Sequence, residues 1–241
     1  MKKVLKILKN RRHICFLDFE GTQFSHEMIA LGAVMVNIDK NGYITKRKHP
    51  VKYYVKAKNS IGNFVKNLTG ITEQDLDKYG YSFSNAIKHL KKYCGINYKK
   101  CIFMTFGNHD MRILNQSIAY NLDAPEDDCT VIKKNYVDFQ MLISEFIKDE
   151  KNNSLSLAHD LEVFGISFDG QQHDPMYDAD NLATLYDSFM RKKDVVLNEY
   201  YKLLSHSNIN PYPAQVVIRK LVAGESVTPE EFKAIMEDYI A

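Results

Sequence analysis

The sequence predicts an α/β layered domain built on a mixed β-sheet, and three observations carry that prediction. Strand-like runs fill the first quarter of the chain. Helix-like and strand-like segments alternate after it. Hydrophobic residues make up 45% of 241, enough for a sizeable core in a length near the upper limit of one domain. With 26% charged residues and no low-complexity tract, the chain reads as globular.

In chain order, a basic extension, 1–12, comes first. His13 to Glu20 (HICFLDFE) is apolar apart from its acids, Glu27 to Asn37 (EMIALGAVMVN) is a second β-rich run, and Val51 to Val55 (VKYYV) follows the Asn41-Gly42 turn. The three read as a strand meander. Helix-compatible stretches follow at 60–79 and 83–94, the second with Phe83, Ala86, Ile87, Leu90 and Cys94 at helical spacing. A fourth strand, Cys101 to Phe106, passes through Gly107 into a helix whose apolar positions are Met111, Leu114 and Ile118. A fifth strand is expected near Thr130 to Lys134, then a helix from about Asp138, its N-cap, to Ile147. Another helix begins at Ser154 or Ser156 and ends near Gly165. Beyond the loop 169–176, the last large helix carries Leu182, Leu185, Tyr186 and Phe189 on one face. In the tail, Thr228-Pro229-Glu230-Glu231 is a capping box with proline at N1, opening a short helix through Tyr239. The expected organisation is the extension 1–12, a main domain 13–205 and a helical appendage 206–241.

Composition narrows the function classes. No run approaches the roughly 20 apolar residues that span a bilayer. Lys6 and Lys9 interrupt the N-terminal segment where a signal peptide needs an apolar stretch, so a cytoplasmic protein with no membrane partner is expected. Cys15, Cys94, Cys101 and Cys129 form no C-x-x-C pair and no zinc spacing with histidine, which fits reduced, buried thiols. The net charge of +2 hides an asymmetry: residues 1–60 hold thirteen Lys/Arg against four acids, Asp18, Glu20, Glu27 and Asp39. That surplus suits a polyanionic partner and equally a solvated face.

Asp18 and Glu20 stand two apart in a strand, so both project from one face while Leu17 and Phe19 point to the other. Two carboxylates in a run otherwise destined for burial are costly unless neutralised, and hard cations such as Mg²⁺ or Mn²⁺ neutralise them through oxygen ligands. By itself D-x-E also fits a strand end whose acids are solvated or salt-bridged.

Three segments carry a family resemblance. FLDFEGT resembles the first motif of the DEDDh exonucleases, a branch of the ribonuclease-H-like superfamily. MTFGNHDMRIL places Asp110 just after the fourth strand and resembles the second motif of Eri-type RNA exonucleases, with Phe106 and His109 where tryptophans are usual. QQHDPMYDADNLATLY resembles the third motif, with His173 five residues before Asp178 and Asp174 where a small or basic residue is more usual. EMIALGAVMV, IGNFVKNLTGITEQDL and SLSLAHDLEVFGISFDGQQHD extend the likeness over roughly 13–190.

The resemblance implies a ribonuclease-H-like mixed five-stranded sheet flanked by helices, with the appendage outside it. It implies a 3'-to-5' exonuclease acting on single-stranded nucleic acid with a free 3' end, RNA favoured, and releasing nucleoside 5'-monophosphates. Two divalent ions, Mg²⁺ or Mn²⁺, are expected on Asp18, Glu20, Asp110 and Asp178, with His173 as general base. Gly21 and Thr22 are the candidates for holding the terminal nucleotide. Phe24 and Met28 are candidates for packing on its base, with core packing the alternative. A DNA proofreading or repair exonuclease shares these residues, and a catalytically silent nucleic-acid-binding module shares the fold.

Overall fold

The computed structural model describes residues 2–206, 210 and 212–240. The chain runs α1 (Lys2–Leu8), β1 (His13–Gly21), β2 (Met28–Ile38), β3 (Ile44–Arg47), β4 (Val51–Tyr54), α2 (Asn63–Thr69), α3 (Glu73–Tyr79), α4 (Phe83–Cys94), β5 (Ile102–Thr105), α5 (His109–Tyr120), α6 (Glu126–Lys134), β6 (Tyr136–Asp138), α7 (Phe139–Ile143), α8 (Leu157–Val163) and α9 (Pro175–Arg191). Three further helices follow, α10 (Lys193–His206), α11 (Tyr212–Val222) and α12 (Pro229–Ile240).

Among the described residues the strands form one six-stranded sheet in the order β3-β2-β1-β5-β6, with β4 also paired to β2. β1 and β2 are antiparallel, whereas β1, β5 and β6 are parallel, so the sheet is mixed as expected. It has one strand more than the five expected because β3, whose Thr45, Lys46 and Arg47 are exposed, has no apolar alternation to announce it.

One correction concerns 126–138. Thr130 to Lys134 was expected as a strand and is the end of α6; the strand there is β6. Glu126, Asp127 and Asp128 sit at the positive end of α6, Lys133 and Lys134 at its negative end, and Cys129 and Ile132 share the buried face. These terms outweigh the β-branched run Thr130-Val131-Ile132.

The alternation of β1 feeds two cores on opposite faces of the sheet. Ile14, Phe16, Val34 and Val36 pack with Leu182, Tyr186 and Phe189 of α9. Cys15, Leu17, Phe19, Leu31 and Met35 pack with Ile87 and Leu90 of α4 and Leu114 of α5. α1 belongs to the first core through Val4 and Leu8. The four cysteines are free and buried. α12 opens as the capping box predicts, the Glu231 N–H donating to Thr228 Oγ1 at 3.1 Å. Among the described residues, no helix is long and apolar enough to cross a membrane.

Candidate active site

Asp18 and Glu20 continue the Ile14–Phe16 face of β1 to the end of the strand. Asp18 is paired across the sheet with Gly32, and Gly32 with Lys52 of β4. Residues in cross-strand register share a face, so Asp18, a position without a side chain, and Lys52 form a row. The N-terminus of α9 rests on the middle of that row. A Cβ on Gly32 would lie 1.8 Å from the carbonyl oxygen of Pro175 and 2.6 Å from the nitrogen of Met176. This close approach brings Asp178, in the first turn of α9, beside Asp18 and Glu20.

One carboxylate oxygen from each of Asp18, Glu20 and Asp178 lies within 4.8 Å of the others. Asp110, in the first turn of α5, stands beside this group rather than in it: its Oδ1 accepts the Phe19 N–H, between the two acids of β1, at 2.7 Å. Across the row, Lys52 Nζ donates to Asp174 Oδ2 at 2.7 Å. Asp174 also caps α9, accepting the Met176 N–H at 3.0 Å. The loop ahead of it is held by Asn181, which bonds both the N–H and the carbonyl oxygen of Asp169.

Protein packs densely around these acids, although Asp18, Glu20 and Asp178 keep an edge open to solvent. Burial is the first cause that lifts all four. It holds Asp18 well above the usual carboxylate range, reinforced by the charges of Asp110, Asp178 and Glu20. Glu20 is pushed up to about 8, with Asp178 and Asp110 adding to burial and Lys52 opposing them. Asp110 rises to about 7 against the pull of the Phe19 N–H, and Asp178 to about 7 against the pull of the His173 backbone. Asp178 Oδ2 is buried with no hydrogen-bond partner. A set of converging carboxylate oxygens, one of them unpartnered, fits hard divalent cations, whose charge would reverse the repulsion that lifts these acids.

Asp18, Glu20 and Asp110 open into a cleft of about 400 Å³ lined also by Gly21, Thr22, His26, Phe64, Leu68, Phe106, His109 and His173. His173 stands exposed at its edge, just before the cap of α9, with φ 63°. Thr22 is 1% exposed, and its Oγ1 accepts the Glu27 N–H at 3.0 Å and shares a hydrogen bond with Ser25 Oγ at 2.6 Å. Phe24 is 80% exposed on that turn.

Met28 requires a correction. It is 0% exposed and packed in the second core among Leu17 and Ile113, so it presents nothing to a ligand in the cleft. The apolar wall is supplied instead by Phe64 and Leu68 of α2, 63% and 37% exposed, which sequence reasoning passed over. Their i, i+4 spacing on a short polar helix was the available signal. Gly32 was passed over too, and its signal was a glycine in the middle of an otherwise apolar strand. Of the 46–58 basic run, Arg47 and Lys52 are neutralised by Asp180 and Asp174.

Comparison with known proteins agrees with this geometry. The family model described as Exonuclease (RNase_T) matches residues 15–186. The rat (Rattus norvegicus) 3'-5' exoribonuclease 1 is 27% identical over 188 residues, covering 72% of this chain and 51% of the relative. The human (Homo sapiens) protein of that name is 26% identical over 188 residues, with the same coverage. The chain thus spans about half the length of these curated relatives. Among solved structures, the nuclease domain of 3'hExo, described as a DEDDh family member bound to rAMP, superposes with a TM-score of 0.60 at 22% identity, over 78% of this chain and 95% of that one. E. coli exonuclease I in complex with a dA16 oligonucleotide gives 0.53 at 14% identity, over 86% and 45%. These structural likenesses establish a shared fold. Since the family model spans most of the chain and ends within α9, the helix that delivers Asp178 to the cluster, this chain belongs to the Exonuclease (RNase_T) family.

Proposed function

We propose that the chain is a 3'-to-5' exonuclease that removes nucleotides one at a time from the 3' end of single-stranded nucleic acid, RNA in preference to DNA, releasing nucleoside 5'-monophosphates. The observation that carries this reading is the convergence of Asp18, Glu20 and Asp178 within 4.8 Å, with Asp18 and Glu20 lining an open cleft. Asp18, Glu20, Asp110 and Asp178 would hold two divalent ions, Mg²⁺ or Mn²⁺. Such a pair polarises the scissile phosphate and stabilises the attacking and leaving oxygens of an in-line displacement.

The protein's own groups supply the remainder. His173, at the cleft edge, accepts the proton of the attacking water through its imidazole. Thr22 and Ser25 share one hydrogen bond between two hydroxyls, so one hydroxyl proton of the pair is left to donate to the terminal 3'-OH. Gly21, whose Cβ would meet Ile113 Cγ1 at 2.9 Å, keeps the strand end open beside that turn. Phe24, Phe64 and Leu68 present apolar surface to the terminal base, an arrangement that accepts any base because every base has a π-face.

RNA is favoured because the rat and human relatives carry the name exoribonuclease and the 3'hExo domain is bound to rAMP. The exonuclease I complex with dA16 makes DNA the arm to compare. The test is to incubate the protein with Mg²⁺ or Mn²⁺ and 5'-labelled single-stranded RNA or DNA, with free or blocked 3' ends. A ladder from free RNA ends that disappears on blocking is expected; a ladder that survives blocking sinks the reading. A protein that binds these strands equally well with Asp18→Ala and never shortens them is the silent binding module instead.

A further inference from the structure

The acidic cleft lies where the parallel strands β1 and β5 end. At the other end of the same two strands the surface has the opposite character. Lys9 and Asn10, with φ 47° and 62°, turn the chain from α1 into β1, where Arg11 and Arg12 stand just ahead of His13. The 3₁₀ turn Gly95–Lys100 delivers Lys99 and Lys100 to the start of β5 alongside. Asn10, Arg11, Arg12, His13, Lys99 and Lys100 enclose an open hollow of about 350 Å³, and no carboxylate lines it.

These cations differ from three neighbours on or beside the sheet. Lys91, Arg47 and Lys52 are each paired with an aspartate, Asp128, Asp180 and Asp174. Among the described residues, Arg11, Arg12, Lys99 and Lys100 have no carboxylate partner. Arg11 donates to the Cys101 carbonyl oxygen at 3.0 Å, and Arg12 to the Arg11 carbonyl at 3.4 Å, contacts that position the guanidinium groups without neutralising them. Four uncompensated charges in one concavity repel one another and gain most from a ligand carrying several negative charges, and arginine's planar fork matches phosphate oxygens.

We infer that this hollow is a second nucleic-acid site, which takes the phosphodiester backbone of the strand whose 3' end enters the cleft. The identity of that strand rests on the exonuclease reading. Asp18 and His13 are five residues apart along β1, roughly 17 Å at the usual strand rise. A trinucleotide in the cleft therefore falls short of the hollow, whereas a long strand lying across the surface reaches it. The site adds affinity for long substrates and leaves the chemistry alone.

The test combines Arg12→Gln, Lys99→Gln and Lys100→Gln, leaving Arg11 because it braces Cys101. Binding is read by anisotropy in EDTA with a 3'-blocked RNA of about 20 nucleotides, expecting affinity to fall about tenfold and the slope of log K against log salt to shrink by about 2. Turnover of a trinucleotide with Mn²⁺ should be unchanged. Unchanged affinity for the long RNA overturns the inference, and so does an equal loss on the trinucleotide. Binding to phosphatidylserine vesicles that weakens in the variant while RNA binding does not assigns the hollow to lipid and also overturns it. Thermal melting checks the fold; if the triple variant melts early, the single Lys99→Gln and Lys100→Gln variants, with effects that add, replace it. A parent protein that turns over nothing would strike the exonuclease reading, while the affinity comparison still decides the hollow.

Discussion

Among the described residues, burial raises carboxylic acids well above their usual range in two places, and the two differ. Asp160, in α8, is 1% exposed, neither of its oxygens has a hydrogen-bond partner, and burial alone pushes it up to about 7. Asp110 and Asp178 are pushed up to about the same value, but other carboxylates crowd them and the group opens onto a cleft. The difference shows that a raised carboxyl is not by itself a functional signal. Burial says only that the acid resists ionising. Convergence on an open, unpartnered point says that a cation would relieve it.

The sharpest way to break the comparison is at Asp18. Asp18→Asn should lower turnover on the order of 10³-fold while leaving the fold intact, and should abolish any rise in melting temperature that Mg²⁺ or Mn²⁺ gives the parent. Activity within tenfold of the parent would mean the cluster holds no catalytic ion. His173→Gln should cost on the order of 10²-fold in turnover with RNA affinity in EDTA unchanged, as befits a proton acceptor.

Gly32→Ala tests the scaffold that assembles the cluster. The new methyl meets backbone, which cannot swing aside, so a loss of about 3 kcal/mol in urea unfolding is expected together with most of the activity. Full stability would show that α9 does not rest on the sheet there.

Asp160 gives the contrasting pH effect. Its folded value, about 7, exceeds the roughly 3.9 of an unfolded aspartate. Between those limits the unfolded chain releases the proton and the folded one keeps it. Stability therefore falls by at most about 1.4 kcal/mol per pH unit as pH rises and levels off above 7. Over those roughly three pH units the loss reaches at most about 4 kcal/mol, so Asp160→Asn should raise stability by up to about that much at pH 8 and leave it nearly unchanged at pH 4, with or without metal. A gain that appears only without metal would place Asp160 in the same system as the cleft.

The smallest expected effect is at Lys52. Lys52→Met removes a half-buried partner of Asp174 and a cation that opposes the rise of Glu20, costing about 1 kcal/mol or less. Lys52→Arg should recover most of it in a melting experiment, and failure to do so would make the pair incidental.

What the sequence made legible was whatever depends on neighbours along the chain. The two-residue alternation placed Asp18 and Glu20 on one face of β1, the Thr228 box announced α12, and the apolar period of α9 was plain. The 126–134 segment was legible in its end charges and was obscured by three β-branched residues. What stayed hidden depends on elements that meet only after folding. Met28 and Phe24 look alike as apolar residues after a motif, yet one sits under α5 and the other on a turn. Nothing in EMIALGAVMV says that a helix lands on its glycine, and nothing around Asp160 says that no partner faces it.

The bare position at Gly32 also bears on how reliably the acidic cluster can assemble. Its flanking strand neighbours on the same face are Ala30 and Val34, and a one-residue slip would instead turn Leu31 or Ala33 upward. In each of those alignments a side chain occupies the spot where the Pro175 carbonyl must settle. The first helical turn of α9 can dock only when β1 and β2 are correctly aligned. In a misthreaded chain Asp178 therefore never reaches Asp18 and Glu20, and the acidic cluster fails to assemble.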